Sequence, residues 1–343
     1  MSNPRTQSER YFLERFGAAS LAAAAEAAAR EFDPDRRPPV NVARIVARKG
    51  IRVRIDPKGP PSIEARLVPL RDSIAIDLKP GVTASRRRFS LAHELGHTMF
   101  YGRGPNGFSH RIGIASDDER LAEEKICNIF AQTLLVPRGL IDEAFGSTTA
   151  HPNSIINSIE RVAQACDVSP LVVLCRLNAV GPETTSFIAI CSQYRPKRSS
   201  SASGQLRVEH WFPFAWPRKL YIARGRSMDG LDLRSPISLF ESWRVLPGAT
   251  SGRFALKLDS ELATGTEARA HEFTEAFRAS AIVDGKWRET VFPVRVANYL
   301  YARRESTEQD VYVISILMPE GSPLRGPYPV APDSQLSTCS QIP

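Results

Sequence analysis

The sequence predicts an α+β protein, and three observations carry that. The stretch 86–102 (RRRFSLAHELGHTMFYG) falls on a helix and holds His93-Glu94-Leu95-Gly96-His97, an H-E-x-x-H pattern. Three short β-type runs, residues 51–55, 63–70 and 73–78, come just before it;. Past residue 204 the texture shifts to strand candidates at 206–211, 220–223, 253–258, 291–302 and 311–317;. Helices beside a small sheet, followed by a β-rich α+β domain, make an α+β chain.

A chain of 343 residues exceeds one ordinary core, so two or three domains are expected;. Charged residues at 24% and hydrophobic residues at 42% describe a globular protein in water;. No apolar run reaches a membrane span. Glu9 and Glu14 interrupt the N-terminal stretch, which excludes a signal peptide reading;. The five cysteines (127, 166, 175, 191 and 339) form no C-x-x-C pair. Buried free thiols in a reducing, cytoplasmic setting are the expectation. The net charge of +8 favours polyanions, but the arginine runs at 86–88 and 195–198 are read as solvated faces;.

In chain order, residues 8–32 read as one helix and 33–39 (DPDRRPP) as a turn;. Residues 41–49 form a short amphipathic helix that Gly50 ends;. The strands follow, with Arg71-Asp72 as a hairpin turn between the last two. The motif helix spans about 84–101, with Thr83 or Ser85 at its start;. Two histidines four apart lie on one helix face, so both imidazoles can bind one metal ion. Zinc accepts His nitrogen and carboxylate oxygen and lowers the pKa of its bound water to about 7. Glu94 then stands as general base, taking the water's proton.

Residues 101–116 (YGRGPNGFSHRIGIAS) read as an irregular loop near the metal. Its Tyr101, Arg103 and His110 are candidates for stabilising an oxyanion. Residues 117–137 form a second helix that ends at Pro137;. A third zinc ligand is expected from this helix. Glu124 shares a face with Asn128, which could orient a neighbouring ligand. Glu123, about 100° away, competes with Glu124, and spacing does not separate the two.

Together, F-S-L-A-H-E-L-G-H at 89–97 and E-x-x-C-N-x-F-A-x-x-L-L-x-P at 124–137 resemble the ImmA/IrrE-type zinc metallopeptidase family. The resemblance implies a zincin-like domain with His93, His97 and Glu124 as zinc ligands and Glu94 as the base. Cys127 stands where the family usually has Ala. The likeness is strong over about 35–140 and fades after 181. It also implies a protein substrate, a helix-turn-helix transcriptional repressor, cleaved in transcription regulation and stress response.

On this reading the metallopeptidase domain spans 1–147, and a helix-turn-helix-like helical segment spans 148–182. A linker (183–204), a regulatory, sensor or substrate-binding domain (205–325) and a disordered tail (326–343) follow;. Residues 139–145 form a short helix, and 153–161 with 162–180 form a helical pair. The second helix of that pair is nearly all apolar, with Arg176 late, which suits packing better than direct DNA reading;. Residues 267–277 read as a helix, and Trp211, Phe212, Phe214 and Trp216 as an aromatic core;. His151, His210 and His271 are read as isolated. Two alternatives accompany the peptidase reading. One is a DNA-binding regulator with a structural or vestigial zinc site. The other is a latent peptidase that waits for a small-molecule or signal ligand at the C-terminal domain.

Overall fold

Gly17 decides how the chain begins. The single helix expected over 8–32 is two, α1 (Gln7–Phe16) and α2 (Leu21–Phe32). Gly17 takes the left-handed conformation, φ 59° and ψ 36°, and its N–H donates to the carbonyls of Leu13 and Glu14. That geometry stops a helix, and glycine adopts it without a Cβ penalty. Ser20 then caps α2 by accepting from the Ala23 N–H;. A computed structural model describes residues 5–60, 63–82, 84–104, 107–112, 116–146, 151–180, 187–195, 205–214, 220–221, 273–283, 286–302 and 311–319. The proposed cap Thr83 and the tail 326–343 lie outside these residues, and Ser85 lies within the motif helix.

Among the described residues the chain divides into two units. The first runs to Asp142 and takes in Arg161–Val180; the second takes in Glu143–Glu160 and the strands after residue 181.

In the first unit, α3 (Val42–Arg48) leads into β1 (Arg52–Ile55), β2 (Ala65–Pro69) and β3 (Ile74–Leu78). The sheet order is β1-β3-β2, with β1 parallel and β2 antiparallel to β3. Ile74, Ile76 and Leu78 are buried on one face. The alternate residue Asp77 is also buried, and its carboxylate accepts from Arg54 at 2.7 Å and Arg66 at 3.3 Å. Next come α4 (Ala84–His97) and a 3₁₀ turn (Thr98–Phe100). Residues 101–116, expected to be irregular, instead hold a hairpin of β4 (Tyr101–Gly104) and β5 (Gly107–His110). Glycine-rich composition suggested a loop, but these glycines serve close approach. Gly107 has φ 106°, and a Cβ there would sit 2.8 Å from the Arg71 carbonyl oxygen.

Helix α5 (Asp117–Leu135) is the hub, packing against α1, α2, α4 and α8 (Pro170–Val180). Ser116 caps it, and three acidic residues fill its first turn, where the helix dipole favours negative charge;. From Ile126 to Leu135 every residue is buried. Against it α2 presents Ala24, Ala25, Ala28 and Ala29, all fully buried, whose small side chains let the helices approach closely. Glu119 of α5 accepts from the backbone N–H groups of Gln7 (2.7 Å) and Ser8 (2.8 Å), which ties down the start of α1;.

After α6 (Arg138–Gly146), the break expected near 161/162 falls later, between α7 (Pro152–Cys166) and α8. Asp167 has φ 51°, and Pro170 opens α8, where its missing N–H costs nothing;. Arg88, read as solvated, donates to the Cys166 carbonyl at 3.0 Å and pairs with Asp167 at 2.6 Å. Arg176 is fully buried, bonded to the Val136 carbonyl (3.1 Å), the Thr133 hydroxyl (3.2 Å) and the Glu26 carboxylate. It therefore cannot reach DNA bases. Arg176→Ala leaves the Val136 carbonyl and Thr133 hydroxyl without their donor and Glu26 with Arg36 as its remaining cation, and we expect a loss of about 1–3 kcal/mol in denaturant unfolding;. A change under about 1 kcal/mol would show that Glu26 finds water instead.

The second unit contains an antiparallel sheet of order β7-β6-β11-β10-β9-β8. Its strands are β6 (Phe187–Arg195), β7 (Gln205–Phe214), β8 (Leu220–Tyr221), β9 (Phe273–Val283), β10 (Lys286–Ala302) and β11 (Val311–Pro319). Two expectations need correction. Strand β6 occupies part of the stretch read as linker, because its Phe-Ile-Ala-Ile-Cys run is buried between β7 and β11. The helix expected at 267–277 is replaced from residue 273 by β9, which pairs with β10 along its whole length; sheet pairing overrides local propensity there;. Of the aromatic cluster, Phe212 and Phe214 are buried, and the Phe214 ring lies 4.3 Å from that of Phe187. His210 is buried and stacks on Phe212, and His151 lies 3.2 Å from Arg295. His271, Trp216, the strand expected at 253–258 and the basic serine-rich stretch 196–204 lie outside the described residues.

Candidate metal centre

Helix α4 crosses α5 at Gly96. A Cβ on Gly96 would meet the Cα, Cβ and Sγ of Cys127 at 3.1–3.2 Å, so the two backbones are nearly in contact. This crossing brings the i, i+4 histidines of α4 against the acidic turn of α5. Gly96→Val should push the helices apart and cost about 1–3 kcal/mol in chemical denaturation. Unchanged stability would mean that α5 can move aside freely.

The Nε2 atoms of His93 and His97 are 3.1 Å apart. The Glu124 carboxylate lies 3.1 Å from His93 Nε2 and 3.7 Å from His97 Nε2. The other ring nitrogens are already engaged. His93 Nδ1 lies 2.9 Å from Asn128 Oδ1, and His97 Nδ1 lies 2.6 Å from Glu123 Oε1. Both oxygens are acceptors, so both Nδ1 atoms carry the hydrogen. The two Nε2 atoms thus face each other and the Glu124 carboxylate, where either a shared proton or a metal ion can bridge them. Zinc bonds of about 2.0–2.1 Å in a tetrahedron place ligands about 3.3–3.4 Å apart, close to the separations seen here. The donors therefore fit a zinc ion held by His93, His97 and Glu124.

Glu94 is buried on α4, with 7% exposure. For Glu124, burial alone would raise the pKa, but the His93 hydrogen bond and the two nearby imidazoles hold it below the usual carboxylate range. For His97, burial disfavours charge, yet Cys127 and the Glu123 hydrogen bond keep its pKa well above the ordinary value. The Cys127 thiol is pushed up to about 11 by burial, so it stays neutral, and Glu123 is the charge that matters to His97. His97, Glu123 and Cys127 form a second cluster of metal-type donors. It is the poorer site, because the thiol is neutral and Glu123 is already committed.

Glu123 is the glutamate that spacing left in competition with Glu124. Its two oxygens instead bridge His97 Nδ1 and His110 Nε2, each at 2.6 Å. The 100° offset from Glu124 noted in the sequence is the signal that sends one carboxylate to the metal side and the other behind His97. The oxyanion candidate His110 thus has its Nε2 turned to Glu123, and its ring stacks on Phe100. Tyr101 sits opposite His110 in the hairpin, with the rings edge-on at 5.2 Å. Burial, then the Glu123 charge, raise the Tyr101 phenol, which therefore remains a donor at neutral pH. Arg103 is exposed and lies 3.5 Å from Asp72. Behind the site, Tyr11 (3.2 Å) and Arg15 (2.7 Å) of α1 donate to the Met99 carbonyl and fix the turn after His97;.

Residues 46–178 match the family model of the IrrE N-terminal-like domain. A radiation response metalloprotease, IrrE of Deinococcus radiodurans, is 28% identical over 160 residues, covering 43% of this chain and 46% of that protein. The chain thus spans about half the length of the curated relative it matches. A Mycobacterium tuberculosis transcriptional regulator of known structure aligns at 12% identity with a TM-score of 0.45, over 91% of this chain and 81% of that one.

Proposed function

We propose that this chain, which belongs to the ImmA/IrrE-type family through its residues 46–178, is a zinc-dependent endopeptidase. Its substrate would be a helix-turn-helix transcriptional repressor, and cleavage would regulate gene expression. The observation that carries the reading is the convergence of His93 Nε2, His97 Nε2 and the Glu124 carboxylate, at 3.1–3.7 Å, on the helix face next to a buried Glu94. When bound, zinc supplies a Lewis acid for the scissile carbonyl and makes water more acidic. Asn128 and Glu123 keep the two imidazoles turned with Nε2 toward the site;. Glu94 accepts the proton of the attacking water and returns it to the leaving amine nitrogen. The protonated Tyr101 phenol is the nearby donor for charge developing on the carbonyl oxygen. A structural zinc site usually closes on four protein ligands rich in Cys, whereas this cluster has three, none of them Cys, among the described residues;.

The test is metal analysis of the purified chain, then incubation with a panel of helix-turn-helix repressors, with and without a chelator. We expect about one zinc per chain and chelator-sensitive cleavage of at least one repressor at a defined bond. A zinc-loaded protein that cuts none, while a zinc-free control binds repressor operator DNA, would replace the peptidase reading with a regulatory one.

A further inference from the structure

We infer that Glu123 and His110 form a positioning pair that sets the metal-binding tautomer of His97, linking metal affinity to the seating of the β4–β5 hairpin. The inference rests on the proposed zinc site and adds two residues behind it. Glu123 is 3% exposed, and both its oxygens are engaged at 2.6 Å, one by His97 Nδ1 and one by His110 Nε2. A carboxylate only accepts, so both ring nitrogens must donate to it. His97 thereby keeps a hydrogen on Nδ1, which leaves Nε2, the atom facing His93 and Glu124, as the nitrogen available to a metal. His110 carries its hydrogen on Nε2, and its Nδ1 is buried without a partner among the described residues.

His110 comes from neither ligand helix. It ends β5, paired with Tyr101 across the hairpin, and its ring is stacked at 4° on Phe100, three residues past His97. The hairpin is itself pinned. The Arg111 N–H donates to the Phe100 carbonyl at 2.7 Å, and its guanidinium donates to the Tyr101 carbonyl at 2.8 Å. Gly107 lies against the Arg71 backbone with no room for a Cβ. A buried carboxylate left with one partner would be free to rotate and to let His97 turn. The hairpin thus reaches the metal through one hydrogen-bonded chain, His110 to Glu123 to His97.

The experiment compares His110→Phe and His110→Gln with the unaltered full chain. Phe keeps an aromatic ring beside Phe100 but cannot donate; Gln can donate to Glu123. Zinc affinity is read by chelator competition, cobalt-substituted spectra report the ligand field, and melting of the metal-free protein reports the fold. We expect His110→Phe to weaken zinc about 10–100-fold and shift the cobalt bands. We expect His110→Gln to recover most of both, with metal-free melting little changed. Wild-type affinity and spectrum in His110→Phe would overturn the pairing. Weakened zinc with no rescue by Gln, or with a matching fall in metal-free melting, would also overturn it, since that marks a packing role. His93→Ala serves as the control: if it too keeps its zinc, the zinc site itself is wrong.

Discussion

Glu94→Gln should retain zinc and fold while losing about 10²–10⁴-fold in peptide cleavage, the usual contribution of a positioned general base. That loss corresponds to about 2.7–5.5 kcal/mol of transition-state stabilisation. The substitution is nearly isosteric, which matters for a side chain only 7% exposed. Glutamine cannot accept the proton of the attacking water, and nothing else in the proposed ligand set changes. His93, His97 and Glu124 keep their positions, so zinc stoichiometry should equal that of the unaltered chain. A structural zinc site makes the opposite forecast, with every measurable activity indifferent to residue 94. The measurement is single-turnover cleavage of a repressor substrate beside metal analysis of the same sample. Near-normal turnover by a zinc-loaded Glu94→Gln protein would sink the mechanism.

What was legible in the sequence followed from periodicity and punctuation. Helix α5 could be read because its apolar residues recur at helical spacing and Pro137 closes it;. Strands β1 to β3 were readable from short β-type runs with Arg71-Asp72 between two of them. The division between α1 and α2 was not, because the alanine-rich run masks Gly17, whose left-handed conformation only the folded chain displays. The β4–β5 hairpin was hidden for a related reason: glycines that permit close backbone approach look like loop composition. Strand β9 was invisible because its state depends on β10, which lies beside it only after folding;.

The site shows the same boundary between local and tertiary information. Four-residue spacing puts His93 and His97 on one face without any structure. Choosing between Glu123 and Glu124 needs the rotation of α5 against α4. That rotation is fixed where Gly96 meets Cys127, a contact between residues 31 positions apart in the chain. The engagement of His110 by Glu123 depends further on hairpin pairing that composition had concealed.

Alanine at residue 93, 97 or 124 should abolish stoichiometric zinc, and this is the second large effect. Each substitution removes one of three converging donors, all within 3.1–3.7 Å of one another. The remaining pair cannot complete a tetrahedral site with solvent alone at comparable affinity. Loss of His93 also frees Asn128 Oδ1, and loss of His97 leaves Glu123 with His110 alone, so those two variants forfeit contacts on both sides of the ring. Glu124 is the more exposed donor, with 40% of its side chain accessible, and Glu124→Ala should leave the metal-free fold nearly intact. It is therefore the cleanest ligand deletion. Zinc that binds only the folded state stabilises it, by about 4 kcal/mol at a thousandfold excess over the dissociation constant. The unaltered chain should then melt several degrees higher with zinc than with chelator, and Glu124→Ala should melt at one temperature in both. Glu123→Ala discriminates between the two glutamates. It removes the clamp on His97 but no donor, so zinc should weaken about 10–100-fold and still bind at saturating metal. The reverse pattern, with Glu124→Ala loaded and Glu123→Ala empty at saturation, would transfer the third ligand to Glu123 and make the separations at Glu124 incidental.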